Sequence, residues 1–185
     1  PTRRGDAGTR SLNFALQAAL NPPKPGKQER RFGELIFREG DRVMQTRNDY
    51  DVVWQKEDGT AGTGIFNGDV GKIAKIDPGG ELLEIIFDDR TATYTSDMLA
   101  ELDMAYAMTV HKAQGSEYRG VVFIGAPCAP SLMVRGVLYT AITRARELLV
   151  IVGDDSAVNK MAENDRRSRR YSGLKWRLRK GGEEK

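Results

Sequence analysis

Residues 11–20, SLNFALQAAL, set Leu12, Ala15, Leu16, Ala19 and Leu20 at helical spacing. Ser11 can cap this helix and Asn21-Pro22-Pro23 can stop it. The next stretch, 22–31, is polar with three prolines and reads as a loop. Residues 35–37 and 42–45 predict short strands, and the glycine-rich 57–64 predicts irregular chain. From 67 to 102 the pattern becomes β-rich, with strands at 70–76, 82–87 and 90–95 and turn chemistry at 77–80 and at Asp88-Asp89. Short strands with tight hairpins predict a small barrel, too small to be the main core and inserted into something larger. Beyond it, 107–110 predicts a strand edge and 121–125 a buried strand. A helix follows over 134–145, with Val134, Val137, Leu138, Ala141, Ile142 and Ala145 on one face, then a continuously apolar strand at 148–152. Apolar strands of this kind, flanked by helices, belong to parallel, doubly wound sheets. No internal repeat is visible.

Composition narrows the class. Of 185 residues, 39% are apolar and 30% charged, a balance ordinary for a soluble domain or two. The apolar run 148–152 falls far short of the roughly 20 residues that a membrane span needs. Cys128 is the only cysteine, which excludes a disulfide framework, and with one histidine it argues against a tetrahedral zinc site. No basic-then-apolar leader opens the chain, so a cytoplasmic location is expected. The net charge of +3 hides an asymmetry: between Arg166 and Lys180 there are eight Lys or Arg and no acid, with Tyr171 and Trp176 interleaved. Such a block suits a polyanion such as nucleic acid, or a solvated basic helix at a domain end.

No G-x-x-x-x-G-K-[ST] loop occurs, so the chain lacks the parts to grip a nucleoside triphosphate unaided. Two clusters carry candidate chemistry. In YAMTVHKAQGSEY, 106–118, Thr109, His111 and Lys112 lead into a turn where Gly115 lets the backbone come close to a ligand. By itself this reads first as a satisfied polar turn with a lone histidine. In LYTAITRAR, 138–146, Arg144 and Arg146 end an otherwise apolar helix, either as cations on its dipole or as a guanidinium aimed at a phosphate.

Together and in this order, the two clusters resemble the fifth and sixth motifs of superfamily 1 helicases. Arg4-Gly5 with Gly8 and Leu12-Asn13, GDRVMQ at 40–45 with Asn48, and FNGDVG at 66–71 narrow the resemblance to the RecD-like branch. Asp49 departs from it where many relatives carry a second Asn, and 53–64 is longer than the loop expected there. The resemblance implies an α/β fold: the C-terminal, second RecA-like domain, a P-loop NTPase-type parallel sheet lacking the P-loop half. It carries an inserted small Src-homology-3-like β-barrel. The implied division is 1–66 for the first part of the RecA-like domain, 67–102 for the barrel, and 103–185 for the remainder with its basic tail.

The resemblance also implies roles. Arg144 would be the catalytic finger at the γ-phosphate, with Arg4 a second cation there. Gly115 and Glu117 would lie with Arg144 on the nucleotide side, and Thr109, His111, Lys112, Gln45 and Asn48 on the DNA side, with Arg146 structural. ATP with Mg²⁺ is the implied cofactor, its phosphate loop and metal carboxylates coming from the N-terminal RecA-like domain of the same protein. Single-stranded DNA and duplex junctions are the implied partners, with no membrane. The activity implied is 5′–3′ DNA translocation and unwinding in recombination or repair, this piece being inactive by itself. A conjugative relaxase's helicase portion shares these motifs, although no relaxase tyrosine-and-histidine set is present. A non-catalytic nucleic-acid-binding module is the alternative from another class.

Overall fold

The computed structural model describes residues 5–166. Its first element, α1 (Thr9–Leu20), is followed by the antiparallel pair β1 (Glu29–Phe32) and β2 (Leu35–Arg38). A seven-stranded antiparallel sheet comes next, built from β3 (Arg42–Gln45), β4 (Asp49–Gln55), β5 (Ala61–Ile65), β6 (Val70–Ile76), β7 (Leu82–Phe87), β8 (Arg90–Thr95) and β9 (Leu102–Met104). Their order across the sheet is β5-β4-β8-β7-β6-β3-β9, with a 3₁₀ turn at Asp97–Glu101. An α/β unit closes the described chain: β10 (Tyr118–Gly125), α2 (Arg135–Ile142), β11 (Ala145–Gly153) and α3 (Asp155–Glu163), with β10 and β11 paired in parallel.

The antiparallel sheet holds the larger buried core. Ile73, Leu83, Ile85, Phe87 and Tyr94 are fully buried within it, with Phe37, Ile65 and Leu99. Period-2 alternation creates this core: along β7, Leu83, Ile85 and Phe87 point inward while Leu82, Glu84 and Ile86 point out. The expectation that this β-rich region is too small to be the main core is therefore corrected. The sheet also begins at Arg42 and runs to Met104, wider than 67–102, because β3 pairs with both β6 and β9.

Three local expectations are corrected as well. The glycine-rich 57–64 contains most of β5: Gly62 lies under the Trp54 indole, where a Cβ would come within 2.4 Å of the ring, so glycine serves the β4–β5 hairpin. Residues 107–110 form no strand, since no neighbouring strand reaches them and Ala107 is bonded instead to the Asn13 side chain. The predicted helix 134–145 stops at Ile142, because Ala145 joins β11 opposite Tyr118.

Helix α1 holds the largest reversal. Its apolar spacing predicts a core-facing stripe, yet its buried side is polar, Asn13 and Gln17 with Asn21 at the C-cap. Leu20 is 68% exposed. The polar stripe converges on Asp41, which is fully buried and has no ion pair among the described residues. Gln17 Nε2 donates to its carboxylate at 2.6 Å, the Arg38 backbone N–H and Asn21 Nδ2 at 2.7 Å, and the Tyr106 hydroxyl at 2.8 Å. Four donors repay the cost of taking a carboxylate out of water, and they outweigh the apolar preference of the helix.

In the α/β unit, Phe123, Leu138, Ala141 and Met161 form a second, smaller cluster beneath α2 and α3. Other apolar groups of its strands are open: Val122 is 67% and Val152 51% exposed. No helix among the described residues is long and apolar enough to cross a membrane.

Candidate nucleotide and nucleic-acid site

Arg144 sits where α2 gives way to β11. The helix finishes with the Thr143 N–H on the Tyr139 carbonyl (3.0 Å), and the Tyr118 N–H then binds the Arg144 carbonyl (2.8 Å), fixing the backbone of this corner. The guanidinium folds back onto neutral acceptors. Nε donates to the Thr140 carbonyl (3.1 Å), Nη1 to the Ser116 carbonyl (3.0 Å) and Nη2 to Thr143 Oγ1 (3.3 Å). It makes no ion pair among the described residues. A guanidinium has five N–H donors, so this anchoring leaves donors and a full positive charge for an anion. Arg146 is the opposite case, its Nε donating to Glu117 Oε2 at 2.6 Å.

Ser116 links Arg144 to the turn over 109–115. Ala113 N–H to the Thr109 carbonyl (3.1 Å), Gln114 N–H to the His111 carbonyl and Ser116 N–H to the Ala113 carbonyl hold that turn, and buried Ala113 plugs it into the protein. Gly115 takes the left-handed φ of +92° with open space where a Cβ would be, so conformation is what demands glycine there. Thus Gly115, Ser116, Glu117, Arg144 and Arg146 gather at the start of β10.

The other groups of the turn face two cavities. Thr109 and His111 line a cavity of about 150 Å³ with Phe123, Cys128, Leu132 and Met161. A wider cleft of about 610 Å³ adjoins it, with His111, Gln114, Arg135, Tyr139 and Arg166 on its walls. Lys112 Nζ is 3.6 Å from the Asp103 carboxylate. The turn is compact, and the cleft that His111 and Gln114 line also reaches Thr140, whose carbonyl holds Arg144.

The remaining sequence-predicted residues stand elsewhere. Gln45 is fully buried in β3, its oxygen accepting from the Tyr94 hydroxyl (3.0 Å) and its Nε2 donating to Glu101 (2.9 Å). As placed, it offers no surface to a DNA strand and instead ties β3 to β8 and the 3₁₀ turn. Asn48 is exposed, and its Oδ1 accepts from the Asn67 N–H (3.0 Å), joining two sheet turns. Arg4, Tyr171 and Trp176 lie outside the described residues. Asn13, Asp41 and Tyr106 stand in the quoted motifs, but the sequence reading assigned them no role and missed the hydrogen bonds that link their segments. The signal was present as the i, i+4, i+8 spacing of Asn13, Gln17 and Asn21. Burial, together with the bond to Asp41, pushes the Tyr106 hydroxyl up to about 12.

Residues 12–87 match the family model of the ATP-dependent RecD-like DNA helicase SH3 domain, and residues 104–152 that of the UvrD-like helicase C-terminal domain. The ATP-dependent RecD2 DNA helicase of Deinococcus radiodurans is 36% identical over 169 residues, 91% of this chain. The chain belongs to the RecD-like helicase family. The RecBCD enzyme subunit RecD of Mycolicibacterium smegmatis is 30% identical over 183 residues, 97% of this chain. This RecD-like chain spans 21% of the first of these relatives and 28% of the second. Its fold is also similar to a Pif1 helicase from Bacteroides solved in complex with ADP-AlF3 and ssDNA. There the TM-score is 0.50 at 18% identity, covering 95% of this chain and 44% of that one.

Proposed function

We propose that this chain is the C-terminal motor portion of an ATP-dependent 5′–3′ DNA helicase that moves along single-stranded DNA and opens duplex junctions in recombination or repair. The observation that carries the reading is Arg144, anchored by neutral oxygens yet uncompensated in charge, one turn from the 109–115 segment. These residues fit a polyphosphate on one side only. ATP with Mg²⁺ supplies the transferable phosphoryl group, and its phosphate loop and metal carboxylates belong to the N-terminal RecA-like domain of the same protein. Within this chain, Arg144 directs its free N–H donors at the γ-phosphate, where negative charge develops as the bond to the leaving diphosphate breaks. The Gly115 backbone makes room for the nucleotide, and the Glu117–Arg146 pair holds the first residues of β10 and β11 together beneath it. Thr109, His111 and Lys112 grip strand phosphates or bases without reading sequence, and Asn48 extends that grip.

One short turn thus joins Arg144, through Ser116, to Thr109 and His111. Closure of the nucleotide cleft on Arg144 pulls Ser116, and the turn carries that displacement to Thr109 and His111. A Src-homology-3-like barrel formed from the antiparallel sheet and a cytoplasmic location belong to the same proposal.

The test is DNA-stimulated ATP hydrolysis by the longest polypeptide that contains this chain. Arg144→Ala is expected to lower kcat by about a thousandfold or more while single-strand binding is kept. Arg144→Lys should not restore it, because an ammonium lacks the planar fork. Undiminished turnover in Arg144→Ala would remove Arg144 as the finger, and a polypeptide that binds the strand without turning over ATP would leave a nucleic-acid-binding module in place of the helicase.

A further inference from the structure

The segment that joins β9 to the 109–115 turn belongs to no strand, yet its backbone is held. Asn13 of α1 treats Ala107 as a strand partner would: its Oδ1 accepts from the Ala107 N–H at 2.7 Å, and its Nδ2 donates to the Ala107 carbonyl at 2.9 Å. The same Nδ2 also donates to the Met104 carbonyl at 3.2 Å. Between those two residues, the Tyr106 hydroxyl reaches Asp41 at 2.8 Å. Asp41 in turn is gripped by Gln17 and Asn21, one and two turns further along α1. The backbone of Met104 and Ala107 is therefore fastened to α1, and Tyr106 is tied to the same helix by its side chain through Asp41. Thr109, the first group of the turn, follows Ala107 by two residues, at most about 7 Å of extended chain.

We infer that Asn13 is a positioning residue for DNA engagement: by clamping Met104 and Ala107 it fixes where Thr109, His111 and Lys112 stand relative to the antiparallel sheet. This rests on the helicase reading above for the role of those three groups. The physical ground is the directionality of a buried amide. Asn13 is 7% exposed, and its donors and acceptor are all satisfied only when 104–107 occupies one register against α1. An apolar residue at this position would pack but would not choose a register. Gln17 is the natural control. It is equally buried and also bonds Asp41, but its other bond goes to the Ile36 carbonyl at 2.7 Å in β2, away from the turn.

The experiment uses the longest polypeptide containing this chain and a fluorescein-labelled oligothymidylate as the strand. The dissociation constant for the strand and the DNA concentration giving half-maximal ATP turnover are measured for Asn13→Ala, Gln17→Ala and Tyr106→Phe beside the unmutated protein. Asn13→Ala is expected to raise both quantities about tenfold, with kcat at saturating DNA within about twofold. Gln17→Ala, which loosens only the Asp41 end, is expected to lower the thermal midpoint comparably while moving both quantities no more than Tyr106→Phe does. Tyr106→Phe, which loses only a hydroxyl and is the milder variant should Asn13→Ala fold poorly, is expected to move them about threefold in the same direction. Equal DNA effects from Asn13→Ala and Gln17→Ala would overturn the inference, since the latch would then only stabilise the fold. No DNA effect from Asn13→Ala and Tyr106→Phe would overturn it too. An unmutated protein that binds the strand without turning over ATP would remove the helicase reading alone, and the affinity contrast between the two helix variants would still decide the role of Asn13.

Discussion

Arg144 and Arg146 are two residues apart and carry the same charge, yet their surroundings separate them. Arg146 is neutralised by Glu117 in a pair whose side chains are 67% and 50% exposed. Such pairs contribute on the order of 0–1 kcal/mol. Arg146→Ala is therefore expected to shift the unfolding free energy by less than about 1 kcal/mol in chemical denaturation, and to keep most of the ATP turnover that Arg144→Ala abolishes. A drop in turnover as deep as that of Arg144→Ala would place Arg146 at the nucleotide instead. Tyr106 gives a prediction in pH. Its folded-state value stands at about 12 against 10.0 for the free side chain, burial being the larger cause and the Asp41 bond the next. An acid whose folded value is raised keeps its proton in the native protein while the unfolded chain releases it. Its contribution is thus whole below pH 10 and is lost as pH rises towards about 12. Tyr106→Phe should flatten that alkaline decline in a denaturation series, and an unchanged slope would show that the hydroxyl is not held as described.

At the level of elements, side-chain chemistry overrode hydrophobic spacing in α1 and glycine composition in β5. Both reversals have steric or electrostatic causes that involve distant residues. Asp41 recruits the polar side of α1 from 20 and 24 residues away, and Trp54 requires a residue without a Cβ at position 62. Gly62→Ala should push the indole off β5 and cost about 1–3 kcal/mol, the usual range for overpacking. A neutral result in denaturation would mean that the ring moves freely. The register of β6, β7 and β8 needed no such help. Alternation and the turn residues at 77–80 and 88–89 were readable because a hairpin is a local structure whose two signals agree.

Over the whole molecule, the two buried clusters differ in what shields them. The antiparallel sheet encloses fully buried Ile85 and Tyr94, whereas β10 and β11 leave Val122, Leu148 and Val152 more than half exposed. Amides in a strand pair with little cover open at lower free energy than those over a closed core. In hydrogen exchange on this 185-residue chain, β7 amides should outlast those of β10 and β11 by at least tenfold. Equal protection would mean that the α/β unit is closed by contacts beyond those described. The chain also spans 21–28% of the lengths of the two relatives compared above.

What the sequence by itself determined about this protein is whatever short spacing carries. That covers the β6–β8 hairpins, the β10 and β11 runs, the α2 face, and the motif strings around Thr109 and Arg144. Backbone propensity and turn chemistry act over a few residues and leave their mark in order. Tertiary structure alone decided which of two arginines is neutralised, which side of α1 faces inward, that Gln45 is spent inside the sheet, and that Asn13 reaches Ala107, 94 positions later. Each of those outcomes depends on a hydrogen-bond partner supplied by folding. A polar group is indifferent to its place along the chain until burial removes water and leaves it one partner to choose.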